Sequence, residues 1–370
     1  MCKLQTVIYC DNLFMRFLPI IIVTTAALAQ SPQILATHTA ESLRGASAVS
    51  RKIAWVSGTH GTYLRTTDGQ TWVSAQVPGA ESLDFRAVVA FSDDAFLMSA
   101  GPGGQSRIYR TSDAGEHWQL QLTSTNPKGF FDSMVFWDKT HGIVLGDPIP
   151  DESGRLKFEL LLTDDGQTWH QLPPANLPPA LEGEGAFAAS NTCIAILPGV
   201  SVAAATPDPN IWFATGGKVA RVFHSPDRGQ TWQVINTPIL HGPDSAGIFS
   251  IAFRDATHGV IAGGDYKHPD KDGPNLAFTE DGGKTWSLSQ IHPQAYFSAV
   301  AYERKPANKA DSKERIFLVG QNFIFDFRPP ANPIRLNPKK KLAVKFNAVS
   351  PYPEGGALIV GPKGTIATIP

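Results

Sequence analysis

Short apolar runs alternate along this chain with clusters of Gly, Pro, Asn and Asp, and no long segment repeats apolar residues at helical spacing. That pattern predicts an all-β protein. The clearest unit reads as four strands: "FRAVVAF" (85–91), "AFLMSAG" (95–101), "RIYRTSD" (107–113) and "HWQLQLT" (117–123). The same order returns as "FDSMVFW", "HGIVLG", "FELLLTD" and "TWHQLP" over 131–173, and as "FSIAFRD", "HGVIAGG", "NLAFTED" and "TWSLSQI" over 249–291. Two further units, over 296–329 and 345–370, keep the strands without the turn that closes the others.

The turn between the third and fourth strands recurs as "TTDGQTW", "TSDAGEHW", "TDDGQTW", "SPDRGQTW" and "TEDGGKTW". It supplies the pairs Asp68 and Trp72, Asp113 and Trp118, Asp164 (or its neighbour Asp165) and Trp169, Asp227 and Trp232, and Asp281 and Trp286. The spacing of the tryptophans is that of a propeller blade with variable loops. A short carboxylate can accept backbone N–H groups of the turn, and glycine supplies positive φ without steric cost. The tryptophan can pack between neighbouring sheets. Two copies, at Asp68 and Asp164, are one residue shorter and imply a different turn geometry. Five equivalent carboxylates cannot converge on one substrate, so the repeated Asp reads as structural.

The count of units predicts a seven-bladed β-propeller. The last unit ends after its third strand, and "QILATH" (33–38) precedes the first. A ring left open would expose two strand edges, so the N-terminal strand is expected to pair into the last blade. One domain then spans 33–370. Residues 1–29 read as a signal peptide, with an apolar run at 17–29 behind Arg16, a small-x-small end at Ala27-Leu28-Ala29, and Met15 as an alternative start. The apolar run is short for a membrane span, and no transmembrane segment is expected in the mature chain. An exported protein, periplasmic or secreted, follows. Cys2 and Cys10 leave with the signal, and Cys193 alone remains, so the core is not stapled by disulfides.

Composition narrows the function. Lys plus Arg is 32 against 33 for Asp plus Glu, which argues against a nucleic-acid binder. "GPGGQSR" (101–107) opens no helix, no haem attachment motif occurs, and the histidines are scattered, so no cofactor and no metal are expected. "NPKKKLAVK" (337–345) reads as a solvated charged face. The starts of the innermost strands form a column of Arg44, Arg86, Asp132, Ala188, Ser250, Ser298 and Asn347, which predicts a polar ring at the mouth of the central channel. Asp147 and Asp265 close second strands on the same face, and long loops follow both. Arg44, Arg86, Asp132, Asp147 and Asp265 are therefore the candidate partner contacts.

The Asp–Gly–Trp turn resembles the Asp-box, or BNR repeat, of sialidases. Together with "SLRGASAV", "DFRAVVAF", "VLGDPI", "EGAFAAS" and "AGGDY", it resembles bacterial relatives of the photosystem II stability/assembly factor, over residues 33–370. That resemblance, to a family tied to photosynthesis, implies a non-catalytic exported monomer that binds a protein or peptide, a membrane-protein subunit being one such partner. An arginine-rich surface makes that contact in the family, and Arg44 and Arg86 match part of it. The alternative is a sialidase-like glycoside hydrolase acting on extracellular glycans, with Asp265, Tyr266 and Glu184 available, although the early F/Y-R-I-P motif is absent.

Overall fold

The computed structural model describes residues 32–173, 176–197, 208–290, 295–304, 315–320, 323–327, 334–335 and 345–370. Both the signal-like segment and the lysine run before Lys345 lie outside them. Within them the protein is all-β.

The chain begins with β1 (Gln33–Leu35) and then runs up and down through successive sheets. The first holds β2 (Leu43–Ala48), β3 (Ala54–Gly58), β4 (Thr62–Thr66) and β5 (Val73–Gln76). The second holds β6 (Asp84–Phe91), β7 (Asp94–Ala100), β8 (Arg107–Thr111) and β9 (Gln119–Thr123). The third holds β10 (Phe131–Phe136), β11 (Gly142–Pro150), β12 (Leu156–Thr163) and β13 (His170–Gln171). After β14 (Glu184–Gly185) come β15 (Ile194–Ile196), β16 (Ile211–Ala214), β17 (Gly216–Gly217), β18 (Arg221–Ser225) and β19 (Gln233–Asn236). The fourth sheet takes β15, β16, β18 and β19. Next are β20 (Ala246–Phe253), β21 (Gly259–Asp265), β22 (Leu276–Thr279) and β23 (Ser287–Leu288). A further sheet takes β24 (Phe297–Tyr302), β25 (Ile316–Gly320), β26 (Phe323–Phe327) and β27 (Ile334–Arg335). The chain ends with β28 (Ala348–Pro351), β29 (Ala357–Gly361) and β30 (Thr365–Ile369), and β1 pairs with β30 from Gln33 opposite Thr368 to Leu35 opposite Ile366.

The expectation of a seven-bladed propeller is corrected to six four-stranded blades. Six sheets among the described residues are four-stranded blades, whereas β20–β23 belong to a six-stranded sheet in the order β14-β17-β20-β21-β22-β23. Glycine is the physical reason. Gly185 pairs with Gly216, and Gly216 with Gly247, so three backbones meet where no side chain intervenes. A Cβ on Gly216 would stand 2.9 Å from the Ala246 carbonyl oxygen and 2.9 Å from the Gly247 Cα. The chain therefore leaves the fourth sheet after Ala214 and adds β17 to its neighbour.

Innermost strands pack against one another around the axis, from β2 to β6, β6 to β10, β10 to β15, β15 to β20, β20 to β24, β24 to β28, and β28 back to β2. Polar side chains stitch them. Ser350 Oγ accepts the Ala48 amide at 3.0 Å, Ser47 Oγ the Ala90 amide at 3.0 Å, Asn191 Oδ1 the Met134 amide at 2.7 Å, and Ser250 Oγ the Val300 amide at 2.8 Å. Much of the polarity of these strands thus holds the ring together.

The repeated turns are self-contained. In the short copies Asp68 Oδ1 accepts the amides of Gln70 and Thr71 (2.8 and 2.7 Å), and one glycine, Gly69 or Gly166, has positive φ. In the third sheet that carboxylate belongs to Asp165, which corrects the choice of Asp164. Asp165 Oδ1 takes the amides of Gln167 and Thr168 at 2.7 Å each, while Asp164 is exposed. In the long copies the bond reaches the fourth residue on: His117 to Asp113, Thr231 to Asp227 and Thr285 to Asp281. Two consecutive residues then have positive φ, as at Gly282 and Gly283. Each tryptophan joins a cluster that includes the preceding sheet. Trp118 lies edge-on to Trp55 at 6.1 Å and to Tyr63 at 5.1 Å. The other four pack likewise, Trp72 with Leu358, Trp169 with Phe96, Trp232 with Phe158, and Trp286 with Trp212.

Candidate functional site at the channel mouth

Where five of the innermost strands begin, the register slips by one residue. The slips fall between Leu43 and Gly45, Phe85 and Ala87, Phe131 and Ser133, Ile248 and Ser250, and Phe297 and Ala299. A β-bulge re-aims the extra side chain. The bulged residues are Arg44, Arg86, Asp132, Phe249 and Ser298. The expected column is right at Arg44, Arg86, Asp132 and Ser298. It is one residue off in the six-stranded sheet, where Phe249 and not Ser250 is extruded. Ala188 stands ahead of β15, and Asn347 lies just before β28, its Nδ2 donating to the Leu43 carbonyl at 2.7 Å. Asp147 also occupies a slip, between Gly146 and Pro148.

Four of the five candidate contacts form one cluster. Arg86 Nε donates to Asp84 Oδ2 at 2.6 Å, and Arg86 Nη1 to the Ala188 carbonyl at 2.7 Å. Asp147 Oδ1 accepts the Ala186 amide at 3.0 Å, and the Ala188 amide faces the Asp132 carboxyl and favours its charged form. Asp132 is 1% exposed. Burial pushes its carboxyl well above the ordinary range, the Asp147 charge adds to that, and Arg86 opposes it. Burial likewise raises Asp147 to about 6, against the pull of the Ala186 amide. Arg44 is lowered to about 10 by burial and by the like charge of Arg86. Three buried polar atoms here have no hydrogen-bond partner: Arg44 Nε, Asp84 Oδ1 and Asp132 Oδ2.

Asp265 is used differently. Its carboxylate accepts the Lys267 amide at 3.0 Å and lies 2.7 Å from His268 Nδ1, so it caps the turn that follows β21. Burial opposes ionisation there, yet the bonds from His268, Ser245 and Lys267 outweigh it and lower the pKa. The loop after Asp147 is also shorter than its sequence implied. β11 continues to Pro150 and β12 starts at Leu156, around a turn capped by Asp151.

An aromatic group that sequence reading missed sits beside the charges. Phe187 stacks on Phe249 at 3.9 Å with planes 10° apart, and Phe249 meets Tyr296 at 4.7 Å and Tyr266 at 6.1 Å edge-on. A cavity of 420 Å³ opens next to it, lined among others by Lys128, Asp147, Phe187, Gly216, Gly217 and Asp244. Phe249 is revealed by the slip of register in the structure and not by its residue type. Glu184 is not free for chemistry: its carboxylate, buried, takes Thr215 Oγ1 at 2.6 Å, Arg221 Nε at 2.9 Å and the Leu181 amide at 2.8 Å. Among the described residues one trio could offer metal ligands, Asp113, Glu116 and His117, and His117 is already spent on the Asp113 turn. No helix among them is long and apolar enough to cross a membrane.

The sequence matches the DUF6242 β-propeller domain over residues 24–326. The chain belongs to that family. No curated protein matches this DUF6242 chain. Solved structures do. YCF48 bound to D1 peptide superposes with a TM-score of 0.60 at 14% identity, covering 92% of this chain and 97% of that one. YCF48 from Cyanidioschyzon merolae gives 0.60 at 16% identity, covering 92% and 99%. The WD40 β-propeller domain of Doa1 gives 0.55 at 12%, covering 91% and 96%. At these identities the likeness shows the propeller fold that the DUF6242 chain shares with them.

Proposed function

We propose that this DUF6242 propeller is a non-catalytic scaffold that holds an extended protein segment at its channel mouth, with a carboxylate of the partner read by Arg44 and Arg86. The observation that carries this is Arg44. Its buried Nε lacks a partner, beside a second guanidinium and an aromatic patch. A buried donor left unmade is costly, and paired guanidinium groups fit a carboxylate. The likeness to YCF48 bound to D1 peptide supports a peptide, and a membrane-protein subunit is one source of such a segment. The Asp-box and assembly-factor resemblance supports the same reading. The glycoside hydrolase alternative is weakened by the commitment of Glu184 to Arg221 and Thr215.

We extend the reading to processing: residues 1–29 are removed on export, and 33–370 act as one monomeric domain in the periplasm or outside the cell. The N-terminal sequence of protein recovered from the periplasm tests that part. Peptides ending in a free carboxylate, against the same peptides amidated, test the site. The free acids are expected to bind and the amides to lose affinity at least tenfold. Equal binding of acids by an Arg44→Gln/Arg86→Gln protein that remains folded overturns the assignment.

A further inference from the structure

The segment between β14 and β15 crosses the channel mouth instead of following a blade. Its later half is stitched down on three sides. Ser190 Oγ donates to the Ser298 carbonyl at 2.7 Å, Asn191 Oδ1 takes the Met134 amide, and the Thr192 carbonyl takes the Ile251 amide at 2.8 Å. Its earlier half, Ala186–Ala188, is held in another way. Three of the mouth's side chains are aimed at it: Asp147 at the Ala186 amide, Asp132 at the Ala188 amide, and Arg86 Nη1 at the Ala188 carbonyl. Phe187 fills a slot shaped by glycine. A Cβ on Gly216 would lie 2.2 Å from Phe187 Cε2, and one on Gly247 would lie 3.0 Å from it. Phe249 forms the wall of that slot.

Those groups make a receptor for a short backbone ribbon, with acceptors for two N–H groups, a donor for one carbonyl, and a flat slot for one ring. We propose that Ala186–Ala188 is an intramolecular occupant of this receptor, and that an incoming extended segment with a small–aromatic–small sequence displaces it. Hydrogen bonding favours such an arrangement, because an empty mouth would strip Arg86 Nη1 of its acceptor and Asp147 of its amide donor, leaving Arg86 only its bond to Asp84. The segment can leave. Gly183 (φ 73°) and Asn191 (φ 63°) bracket it in conformations suited to hinges, no regular strand pairing holds 186–188, and the 420 Å³ cavity adjoins the Phe187 ring. The displacement step rests on the scaffold reading, but the receptor does not use Arg44.

Two measurements on the purified protein test it. Amide hydrogen exchange at Ala186 and Ala188 is expected to quicken at least tenfold in Phe187→Ala while exchange across β6 and β20 is unchanged. Unchanged exchange at those two amides overturns the proposal. The second probe is a labelled, amidated Gly-Ala-Phe-Ala-Gly peptide. Phe187→Ala, with its slot vacated, is expected to bind it about tenfold more tightly than the native protein, and Phe249→Ala to lose it. Should Phe187→Ala unfold, Phe187→Leu is expected to show both effects in smaller measure. Faster exchange without any gain in peptide affinity means the segment is only a brace, and the proposal falls. Loss of the carboxylate selectivity with the Gly-Ala-Phe-Ala-Gly gain intact would remove the Arg44 reading and leave this one standing.

Discussion

The two faces of this propeller treat carboxylates in opposite ways. On the face of the repeated turns, each Asp is met by backbone amides and a neighbouring hydroxyl within its own turn. Asp113 is held at about 2 by His117 and Thr111, and Asp281 is also near 2, its hydrogen bonds from Thr285 and Thr279 outweighing the opposing cost of burial. At the channel mouth, burial drives Asp132 and Asp147 upward. A carboxylate that is satisfied locally serves the turn that contains it. A carboxylate that is buried with an unmade bond is held in place by the rest of the ring, and its cost is tolerated for another reason.

The largest test of that contrast is Trp118→Ala. Removing the ring that wedges Trp55 and Tyr63 between sheets should cost about 3–5 kcal/mol, read as a fall in denaturation midpoint, with peptide selectivity unchanged in the protein that remains folded. Next is Arg44→Gln with Arg86→Gln, expected to weaken capture of carboxylate peptides by about 100-fold, as two charge-assisted bonds are lost, with a fall in stability of about 1–3 kcal/mol from the lost Arg86 bonds to Asp84 and Ala188. Calorimetric titration reads it.

Acidity separates the faces by sign. The folded pKa of Asp147 lies above its unfolded value of 3.8. Its contribution to stability is therefore fully present below 3.8 and is lost as pH rises through about 6. Asp113 and Asp281 are depressed, so their contribution is present above 3.8 and is lost as pH falls through about 2. Asp132 faces Asp147, Arg86 faces Asp132 in turn, and Lys128 and Asp244 lie along the same cavity. Protonating Asp147 removes one negative charge from the cluster that Asp132 and Arg86 share. Carboxylate peptides should bind about threefold to fivefold more tightly at pH 5 than at pH 7.5, a Coulombic gain across a partly desolvated mouth. Asp147→Asn, which keeps the acceptor for the Ala186 amide, should flatten that profile. The smallest effect is expected from Asp281→Ala, about 1 kcal/mol of stability with peptide binding unaltered at every pH.

Sequence reading located the strands of the second and third sheets to within a few residues, because apolar runs and turn residues there obey one period. It also singled out Arg44, Arg86, Asp132 and Asp147, whose polarity stands out against apolar neighbours and which the structure brings together. It failed where glycine let backbones meet. Gly185, Gly216 and Gly247 carry no side-chain pattern, so β14 and β17 left no trace and the six-stranded sheet went unforeseen. Phe187 and Phe249 went unremarked, since an extruded phenylalanine has the composition of a buried one. The choice of Asp164 over Asp165 was avoidable. In the other copies the Asp follows a hydroxyl residue by two, as Asp68 follows Thr66 and Asp281 follows Thr279, and by that rule Thr163 selects Asp165.

The pairing of β1 with β30 has a consequence for biosynthesis. Gln33–Leu35 leave the ribosome long before their partners at Ile366–Thr368. Until that stretch is made, the nascent chain carries an orphan strand and an open wheel with two sticky rims. A chaperone that shields edges would act in that interval.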